Sequence, residues 1–242
     1  MDNLDKILRS QDVLYIFGYG SLTWKPDFES DRQIVGYIKG YERRFWQGST
    51  FHRGTPKKPG RVLTLTKADE GEVWGLVFEV KGREKVAKAL DYLQLREQSL
   101  GGYDASIVPV FPKPGSEQTE IMHSIIYHAL PVNPLYLGSA PMDKLAEDIA
   151  TSKGKCGHNI EYLFRLADFM REHAPGVEDP HLFELERSVR HKIGLTSNTI
   201  LPWKTLLECP SFRTLVKPTV IENGKRSRSP SPTPKDILVY AS

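Results

Sequence analysis

The stretch VLYIFGYGSL occupies residues 13–22 and predicts how the first half of the chain is built. It begins with a run of β-branched and aromatic residues, which favours a strand. Gly18 and Gly20 follow, and glycine allows tight backbone turns and the close approach of a ligand to backbone N–H groups. The stretch therefore predicts a strand that leads into a binding loop, although an ordinary β-turn would explain the glycines equally well.

Two better-known loop types do not fit this stretch. A dinucleotide-binding fingerprint needs a third glycine where Thr23 stands, and the residues that follow do not open an amphipathic helix. A serine-hydrolase nucleophile elbow around Ser21 needs glycines at the positions of Tyr19 and Thr23. Neither a dinucleotide site nor a hydrolase nucleophile is therefore indicated.

Strand signals continue to about residue 130. Five further segments are short, rich in β-branched or aromatic residues and bounded by turn-forming or charged residues: QIVGYI, RVLTLT, EVWGLVFEV, SIVPVF and HSIIYHAL. A single helix is predicted among them over residues 83–100, where Val86, Leu90 and Leu93 recur at helical spacing. After Pro141 the apolar period becomes helical three times. Strands first and helices later favour an α+β fold with the helices packed on one side of the sheet.

Composition and charge indicate a soluble globular protein. The 242 residues are 39% apolar and 26% charged, and 33 Lys and Arg against 30 Asp and Glu leave a net charge of +3. So small an excess gives little reason to expect nucleic acid or an anionic membrane as a partner. We recognise no secretory signal or membrane-spanning stretch, and two cysteines fit a reducing compartment. We expect a cytoplasmic protein, with the nucleus as a second compartment left open.

The chain divides into three parts by composition. Residues 1–12 form a lead-in, residues 13–215 form a single domain, and residues 216–242 form a C-terminal extension. The extension holds three Ser-Pro or Thr-Pro steps beside a basic cluster, which is typical of a solvated tail. Phosphorylation there could serve regulation, and the final ILVY could add a terminal strand.

Glu97 is the leading candidate for acid–base chemistry. It continues the apolar stripe of the predicted helix by one turn beyond Leu93, so its carboxylate points along the buried face. Burial and the negative end of the helix dipole both disfavour a charged carboxylate, so both are expected to raise its pKa toward the range of a general base. The alternative is that the helix has already ended and Glu97 pairs with a basic residue at the surface.

A third candidate feature is the segment GKCGHN at residues 154–159, which precedes an apolar-periodic helix. Glycines that enter a helix N-terminus expose N–H groups that suit a carboxylate. A plain connection between helices, with Asn159 as the N-cap, is the simpler explanation. The seven histidines show no metal-site spacing, so we expect no metal.

A set of separated motifs extends from about Leu14 to Ile193. They are Phe17-Gly-Tyr-Gly-Ser-Leu22, Arg43-Arg44-Phe45, Ser49-Thr50, His52-Arg53-Gly54-Thr55-Pro56, Pro59-Gly60, Tyr92-Leu93, Arg96-Glu97, Gly101-Gly102-Tyr103, and Gly157 with Asn159 and Glu161-Tyr162-Leu163. No single one is specific, but together they resemble the ChaC-type γ-glutamylcyclotransferases in their longer, fungal-like form. Phe51 departs from the family pattern, which usually has a small or acidic residue at that position.

The resemblance implies a γ-glutamylcyclotransferase-like fold, a mixed β-barrel-like sheet with flanking helices, in which residues 13–215 are the catalytic domain. It also implies cleavage of glutathione into 5-oxoproline and Cys-Gly, with Glu97 as the catalytic acid and base and without a metal or other cofactor. The substrate-binding residues are then expected to be Ile16, Phe17, Gly18, Tyr19, Gly20, Ser21, Leu22, Tyr103 and Tyr162.

Two alternatives stay open at this point. The same chemistry could act on other γ-glutamyl amino acids or amines. The chain could instead be a non-catalytic binding or regulatory protein that uses the same pocket and a modifiable tail. The sequence does not predict an oligomeric state.

Overall fold

The computed structural model describes the backbone of residues 2–99, 103–195, 200–208 and 212. The strands in these ranges are β1 Val13–Gly18, β2 Arg32–Ser49, β3 Gly60–Lys81, β4 Asp104–Pro112, β5 Met122–His128, β6 Lys153–Gly154 and β7 Gly157–His158. The helices are α1 Asp2–Arg9, α2 Arg83–Leu93, α3 Met142–Thr151, α4 Asn159–His173, α5 Pro180–Lys192 and α6 Trp203–Leu206. A 3₁₀ turn covers Ser21–Thr23 and a π-helical turn covers Gln94–Ser99. No helix in the described ranges is long and apolar enough to span a bilayer.

Five strands form a closed barrel in the order β1-β3-β2-β4-β5. β1 lies antiparallel to β3 along its whole length, and the Ile16–Ile125 pair joins β1 to β5 in parallel. β2 and β3, with 18 and 22 residues, are the longest of these strands and pair with each other antiparallel. Their buried apolar side chains, Ile38 and Leu63 among them, pack with Val110 of β4 in the core.

The end of β1 lies very close to β3 at Gly75. A methyl group on Gly75 would come within 2.3 Å of the Gly18 carbonyl oxygen and 2.8 Å of the Phe17 ring. Real side chains do not fit at such distances, so Gly75 permits this approach because it has none. The backbone that follows Gly18 therefore leaves the barrel from a fixed position.

The structure confirms the α+β fold with a barrel-like sheet and flanking helices, and it corrects two strand boundaries. RVLTLT and EVWGLVFEV, predicted as separate strands, are both parts of β3, and QIVGYI is only the first part of β2. Lys39 of β2 pairs with Glu72 of β3, and Tyr41 pairs with Lys67, so β3 has more residues than β2 between these two pairs. This irregular pairing accommodates the turn-like KADEG sequence as a bulge, so the strand continues through it.

The helix predicted over residues 83–100 ends earlier than expected. α2 stops at Leu93, and the next six residues form the π-helical turn. A π turn inserts one extra residue into the helical path and is frequent at functional sites. Leu100, Gly101 and Gly102 lie outside the described residues.

The predicted lead-in contains α1, a helix that its few apolar residues do not predict. Leu8 of α1 is buried, and Arg9 Nη2 lies 2.8 Å from Asp91 Oδ1 on α2. The short helix α6, also not predicted, adds the buried Trp203 and Leu206. The final ILVY and the Ser-Pro and Thr-Pro steps fall outside the described residues, so the division of the chain at residues 13 and 215 stays a prediction.

Helix α4 is joined to β3 through the buried side chain of Asn159. Its Oδ1 accepts a hydrogen bond from the Arg61 N–H at 2.6 Å, and its Nδ2 donates to the Arg61 carbonyl oxygen at 2.8 Å. One of the two sequence-based explanations made Asn159 the N-cap, but His158 occupies the cap position and Asn159 is the first helical residue. Its amide binds the strand rather than the helix because β3 offers both a donor and an acceptor there.

We predict that Asn159→Ala destabilises the protein by about 2–4 kcal/mol, because it leaves the buried N–H and C=O of Arg61 without their partner. Urea unfolding measures this free energy. Gln118→Ala, which shortens a partly exposed side chain with one solvent-exposed hydrogen bond to the Glu120 carbonyl oxygen, is the control and should change the free energy by no more than about 0.5 kcal/mol. Equal stability of the two variants would contradict the assigned role of Asn159.

Candidate active site

A cavity of about 160 Å³ lies where β1 ends. One wall is the loop after β1, a second is the π-helical turn with the end of α2, and a third is the segment after β2, which faces residues 155–156. The lining residues are Phe17, Gly18, Tyr19, Gly20, Ser21, Leu22, Trp24, Lys25, Asp27, Gly48, Ser49, Phe51, His52, Arg53, Val62, Leu63, Tyr92, Leu95, Arg96, Glu97, Tyr103, Tyr127, Lys155, Cys156 and Tyr162. The cavity thus brings together residues that are far apart in the sequence.

The glycine loop comprises residues 18–22, from the last residue of β1 onward, and packs against α4. The Thr23 N–H donates to the Gly20 carbonyl oxygen at 3.0 Å, which closes the 3₁₀ turn. A methyl group on Gly20 would lie 2.7 Å from the Tyr162 hydroxyl oxygen, so the loop backbone packs directly on this side chain. Gly20 has no side chain of its own, so its backbone lines the cavity directly beside the Tyr162 hydroxyl.

The structure brings all but one of the predicted binding residues to the cavity. Residues 17–22, Tyr103 and Tyr162 line it. Ile16 does not, because it is fully buried within the barrel, where it pairs with Phe78 of β3 and Ile125 of β5. Successive side chains of a strand point to opposite faces, and at its position in β1 the Ile16 side chain points into the core and not toward the cavity.

Glu97 lies on the π-helical turn and lines the cavity, in agreement with the direction predicted from the apolar stripe. Its side chain is 16% exposed, and Arg96 Nε lies 3.0 Å from its Oε1. Burial raises the pKa of the Glu97 carboxyl group, and the Arg96 charge only partly opposes this shift. The carboxylate is mostly buried, as the apolar stripe predicts, and it has a basic neighbour as in the alternative, but this pairing lies inside the cavity and not at the surface.

Four buried tyrosines share the cavity with Glu97. Burial raises the pKa of all four phenols, to about 12 for Tyr162, and the charge of Glu97 adds to each shift. They are Tyr19, Tyr103, Tyr127 and Tyr162. All four are consequently neutral at physiological pH, and they line the same cavity as the carboxylate.

The hydroxyl groups of these tyrosines are partly used by the barrel. Tyr19 donates to the carbonyl oxygen of Tyr127 at 2.7 Å, and Tyr103 donates to that of Leu63 at 2.6 Å. Tyr162 instead accepts from the Leu63 N–H at 3.4 Å, and no acceptor for its own proton is present in the described part of the chain. Tyr103 can therefore offer a ligand a lone pair, whereas Tyr162 can offer a proton.

The wall formed by residues 51–53 and 155–156 was not predicted. The N–H groups of Lys155 and Cys156 donate to the carbonyl oxygens of Phe51 and His52, at 2.8 and 3.0 Å. The Lys155 ammonium lies 5.1 Å from the centre of the Phe51 ring, a cation–π contact. Both segments contain motifs that the sequence made visible, but only the tertiary structure shows that they are neighbours.

The segment at residues 154–159 does not form the predicted carboxylate site at a helix N-terminus. It makes the β6–β7 hairpin, in which Gly157 has a φ of +106°. Arg53 Nη1 reaches the carbonyl oxygen of His158 at 3.0 Å and Glu161 Oε2 at 2.7 Å. The first turn of α4 is thus occupied by an ion pair between Arg53 and Glu161.

His52 is the only histidine among the lining residues. Burial and the positive charges of Arg96 and Arg53 lower its pKa to about 4. The imidazole is therefore neutral at physiological pH. Among the described residues, no three His, Cys, Asp or Glu side chains cluster in the way metal ligands do.

The fold and the cavity together define a class of protein: a closed-barrel domain whose pocket sets a buried carboxylate opposite a glycine loop. The family model described as ChaC-like protein matches residues 14–192. Because this match covers well over half of the sequence, the chain belongs to the ChaC-like family. The resemblance found from the separated motifs is confirmed.

Relatives and solved structures agree with this family. The glutathione-specific γ-glutamylcyclotransferase 1 of Danio rerio is 50% identical over 183 residues, which cover 76% of this chain and 92% of that protein. The glutathione-specific γ-glutamylcyclotransferase of Schizosaccharomyces pombe is 38% identical over 205 residues, covering 79% and 99%. A crystal structure of a γ-glutamylcyclotransferase specific to glutathione from yeast matches with a TM-score of 0.67 at 27% identity, covering 75% of this chain and 97% of that one.

We predict that Gly20→Ala destabilises the protein by about 1–3 kcal/mol, because the added methyl group overlaps with the Tyr162 hydroxyl. The double variant Gly20→Ala/Tyr162→Phe removes that hydroxyl and should recover most of the loss. Urea unfolding of both variants and of Tyr162→Phe alone measures the coupling. Strictly additive effects would show that the two residues do not touch.

We also predict that Glu97→Gln is more stable than the wild type at pH 7. A carboxyl group with a raised pKa favours the folded state while it is protonated and loses this contribution as the pH rises through the folded-state pKa. The gap in melting temperature should therefore shrink as the pH falls from the raised folded-state pKa toward about 4.3, the usual pKa of an unfolded glutamate, and should stay constant at lower pH.

A control of opposite sign is available on α2. Lys88 lowers the pKa of the exposed Glu84, so Glu84→Gln should lose stability at pH 7 instead of gaining it. Melting curves from pH 3.5 to 8 compare the two variants. A Glu97→Gln protein that is less stable than the wild type at pH 7 would contradict the unfavourable burial of this carboxylate.

Proposed function

We propose that the protein is a glutathione-specific γ-glutamylcyclotransferase, a lyase that converts glutathione into 5-oxoproline and Cys-Gly. The relatives carry this activity in their names, and this chain covers most of their length. The observation that carries the proposal is that Glu97, a buried carboxylate of raised pKa, shares one cavity with the glycine loop.

The reaction is an intramolecular ring closure. The α-amine of the γ-glutamyl group attacks the γ-carbonyl carbon of the same group, a C–N bond forms, and the bond to the cysteine nitrogen breaks. Well-oriented intramolecular reactions reach effective molarities on the order of 10⁵ M, which corresponds to ~7 kcal/mol of barrier. Most of the task of the cavity is therefore to hold the substrate folded.

Glu97 is proposed to move the protons. The substrate amine is an ammonium group in water, so a base must accept a proton before the attack, and an acid must then protonate the departing cysteine nitrogen. A carboxyl group of raised pKa can serve in both directions. His52 is a poorer candidate, since a group with a pKa of about 4 is a weak base at neutral pH.

The glycine loop is proposed to bind negative charge. No acceptor for the N–H groups of Gly20 and Ser21 is found within the described residues, so both can donate to the α-carboxylate or to the oxyanion that develops on the γ-carbonyl. Fixed donors of this kind are worth up to about 4 kcal/mol in a transition state. The Tyr162 proton adds a donor to this set, and the Tyr103 oxygen can accept from the substrate amine.

The third wall supports glutathione over smaller γ-glutamyl compounds. The glycine of glutathione ends in a carboxylate that γ-glutamyl amines lack, and Arg53 and Lys155 bring positive charge to this wall. We propose that the Cys-Gly half lies against it. We also propose a cytoplasmic location, because the cytosol keeps thiols such as that of glutathione reduced.

The test of the reaction is release of 5-oxoproline from reduced glutathione by the wild type and by Glu97→Gln, in buffer that contains a chelator. Glutamine keeps the shape of the side chain but cannot carry a proton, so turnover should fall by about 10² or more. Calorimetric titration with glutathione should show that the variant still binds. If a folded wild-type protein releases no 5-oxoproline from glutathione, the proposed function is wrong.

The same assay with γ-glutamyl-alanine tests the substrate. We expect kcat/KM for glutathione to exceed that for γ-glutamyl-alanine by at least about tenfold, because only glutathione reaches the third wall with its glycine carboxylate. A clear preference for γ-glutamyl-alanine would leave the chemistry in place and overturn the proposed substrate.

A further inference from the structure

Arg96 is a lining residue of the cavity that the proposed reaction leaves without a role. Its side chain is 14% exposed and contacts groups from three places in the fold. Nη2 donates to the Ser21 hydroxyl at 2.8 Å, and Nη1 donates both to the Lys25 carbonyl oxygen at 2.5 Å and to the Tyr92 hydroxyl at 2.8 Å. Nε lies 3.0 Å from Glu97 Oε1. One guanidinium group thus touches the glycine loop, the end of α2 and the carboxylate.

These contacts have a geometry that only arginine supplies. The guanidinium group is planar and presents five donors in a fixed fork, whereas lysine presents a single rotatable ammonium. The two ends of the fork hold Ser21 and Lys25 on the loop, while Nε stays beside Glu97. A shift of the π-helical turn would therefore move the loop together with the carboxylate.

We propose that Arg96 is a positioning residue that holds the Glu97 carboxylate and the glycine loop at a fixed separation. The base can then reach the substrate amine while the N–H donors of the loop reach the γ-carbonyl oxygen of the same substrate molecule. This proposal rests on the proposed cyclotransferase function. It assigns Arg96 no contact with the reacting atoms, since its donors are directed to Ser21, Lys25, Tyr92 and Glu97.

Arg96 also influences the charge state of Glu97. Its positive charge lowers the pKa of the carboxyl group, in opposition to burial. The phenols that feel the charge of Glu97 belong to Tyr19, Tyr103, Tyr127 and Tyr162, and they are neutral. The remaining charged or titratable residues of the lining are Lys25, Asp27, His52, Arg53, Tyr92, Lys155 and Cys156. Arg96 is the cation in direct contact with the carboxylate, so its removal should raise the pKa of Glu97 further.

The role of Arg96 has two separable parts, and two variants separate them. Arg96→Gln removes both the charge and the fork. Loss of the charge should move the acid limb of the pH profile of kcat/KM, where activity falls as Glu97 is protonated, to higher pH. Loss of the fork should lower kcat at least about tenfold. Arg96→Lys keeps the charge but not the fork, so the acid limb should stay near that of the wild type while kcat still falls. KM should change less than kcat in both variants, because the substrate does not bind Arg96.

The control is Arg83→Gln, which removes an exposed arginine paired with Asp12 on the outside of the protein. It makes the same chemical change and should leave both the acid limb and kcat within twofold of the wild type. Melting curves of all three variants show which are folded. If Arg96→Gln does not fold, the unchanged limb and reduced kcat of Arg96→Lys still test the proposal.

A readout without turnover separates this proposal from the proposed function. The Glu97 carboxyl carbon is followed by NMR in protein labelled at the glutamate side chain, with Glu97→Gln used to assign the signal. Arg96→Gln should raise the titration midpoint of this signal even if the wild type has no activity on glutathione. An unchanged midpoint, or wild-type kcat and pH profiles in both Arg96 variants, would overturn the role assigned to Arg96.

Discussion

The contact of β1 with β3 at Gly75 is the constraint on which the cavity depends. Because Gly75 has no side chain, the Gly18 carbonyl oxygen lies where one would be, and the antiparallel pairing with β3 holds the end of β1 in this close position. The loop that follows is held from its other side by Tyr162, again at a glycine. Two contacts that leave no room for a side chain thus fix a loop whose own sequence is flexible.

Burial of Glu97 is the second condition for the site, and it works against stability. A buried carboxylate is less well solvated than one in water, and Arg96 restores only part of that loss. The rest of the molecule offsets it through an extensive apolar core that runs from the barrel into α4 and α5. A buried carboxylate of this kind lowers the stability of the folded protein, and proteins retain such unfavourable groups at functional sites because the chemistry requires them.

The sequence predicted what local patterns determine. Alternation and helical period located the strand segments of the barrel and α3, α4 and α5, although β3 was divided in two and β6 and β7 were not predicted. The apolar stripe of α2 gave the direction of Glu97, because side-chain direction within one element follows from its period. The position of Ile16 and the wall that pairs Phe51 with Lys155 were not predictable, since each depends on which distant segment lies alongside. The same holds for α1, whose Leu8 has few apolar neighbours in sequence and is buried through its packing in the core, and whose Arg9 pairs with Asp91 of α2. The bulge in β3 was not predicted for a related reason. A turn-like sequence can continue a strand when the pairing register with the partner strand shifts, and the sequence of β3 alone does not show that shift.

The order of the strands in the barrel bears on how the chain acquires its structure during synthesis. β1 is made first, but it closes the barrel through Ile16 and Ile125, and β5 is the last of the five barrel strands along the chain. Contacts between residues so distant in sequence form slowly, and until they form the two edges of the sheet are open to other chains. The ribosome must therefore deliver more than half of the protein before the barrel can close. The cavity needs still more of the chain, because Lys155 and Tyr162 follow β5 in the sequence, so the sheet has all its strands before the pocket has all its walls.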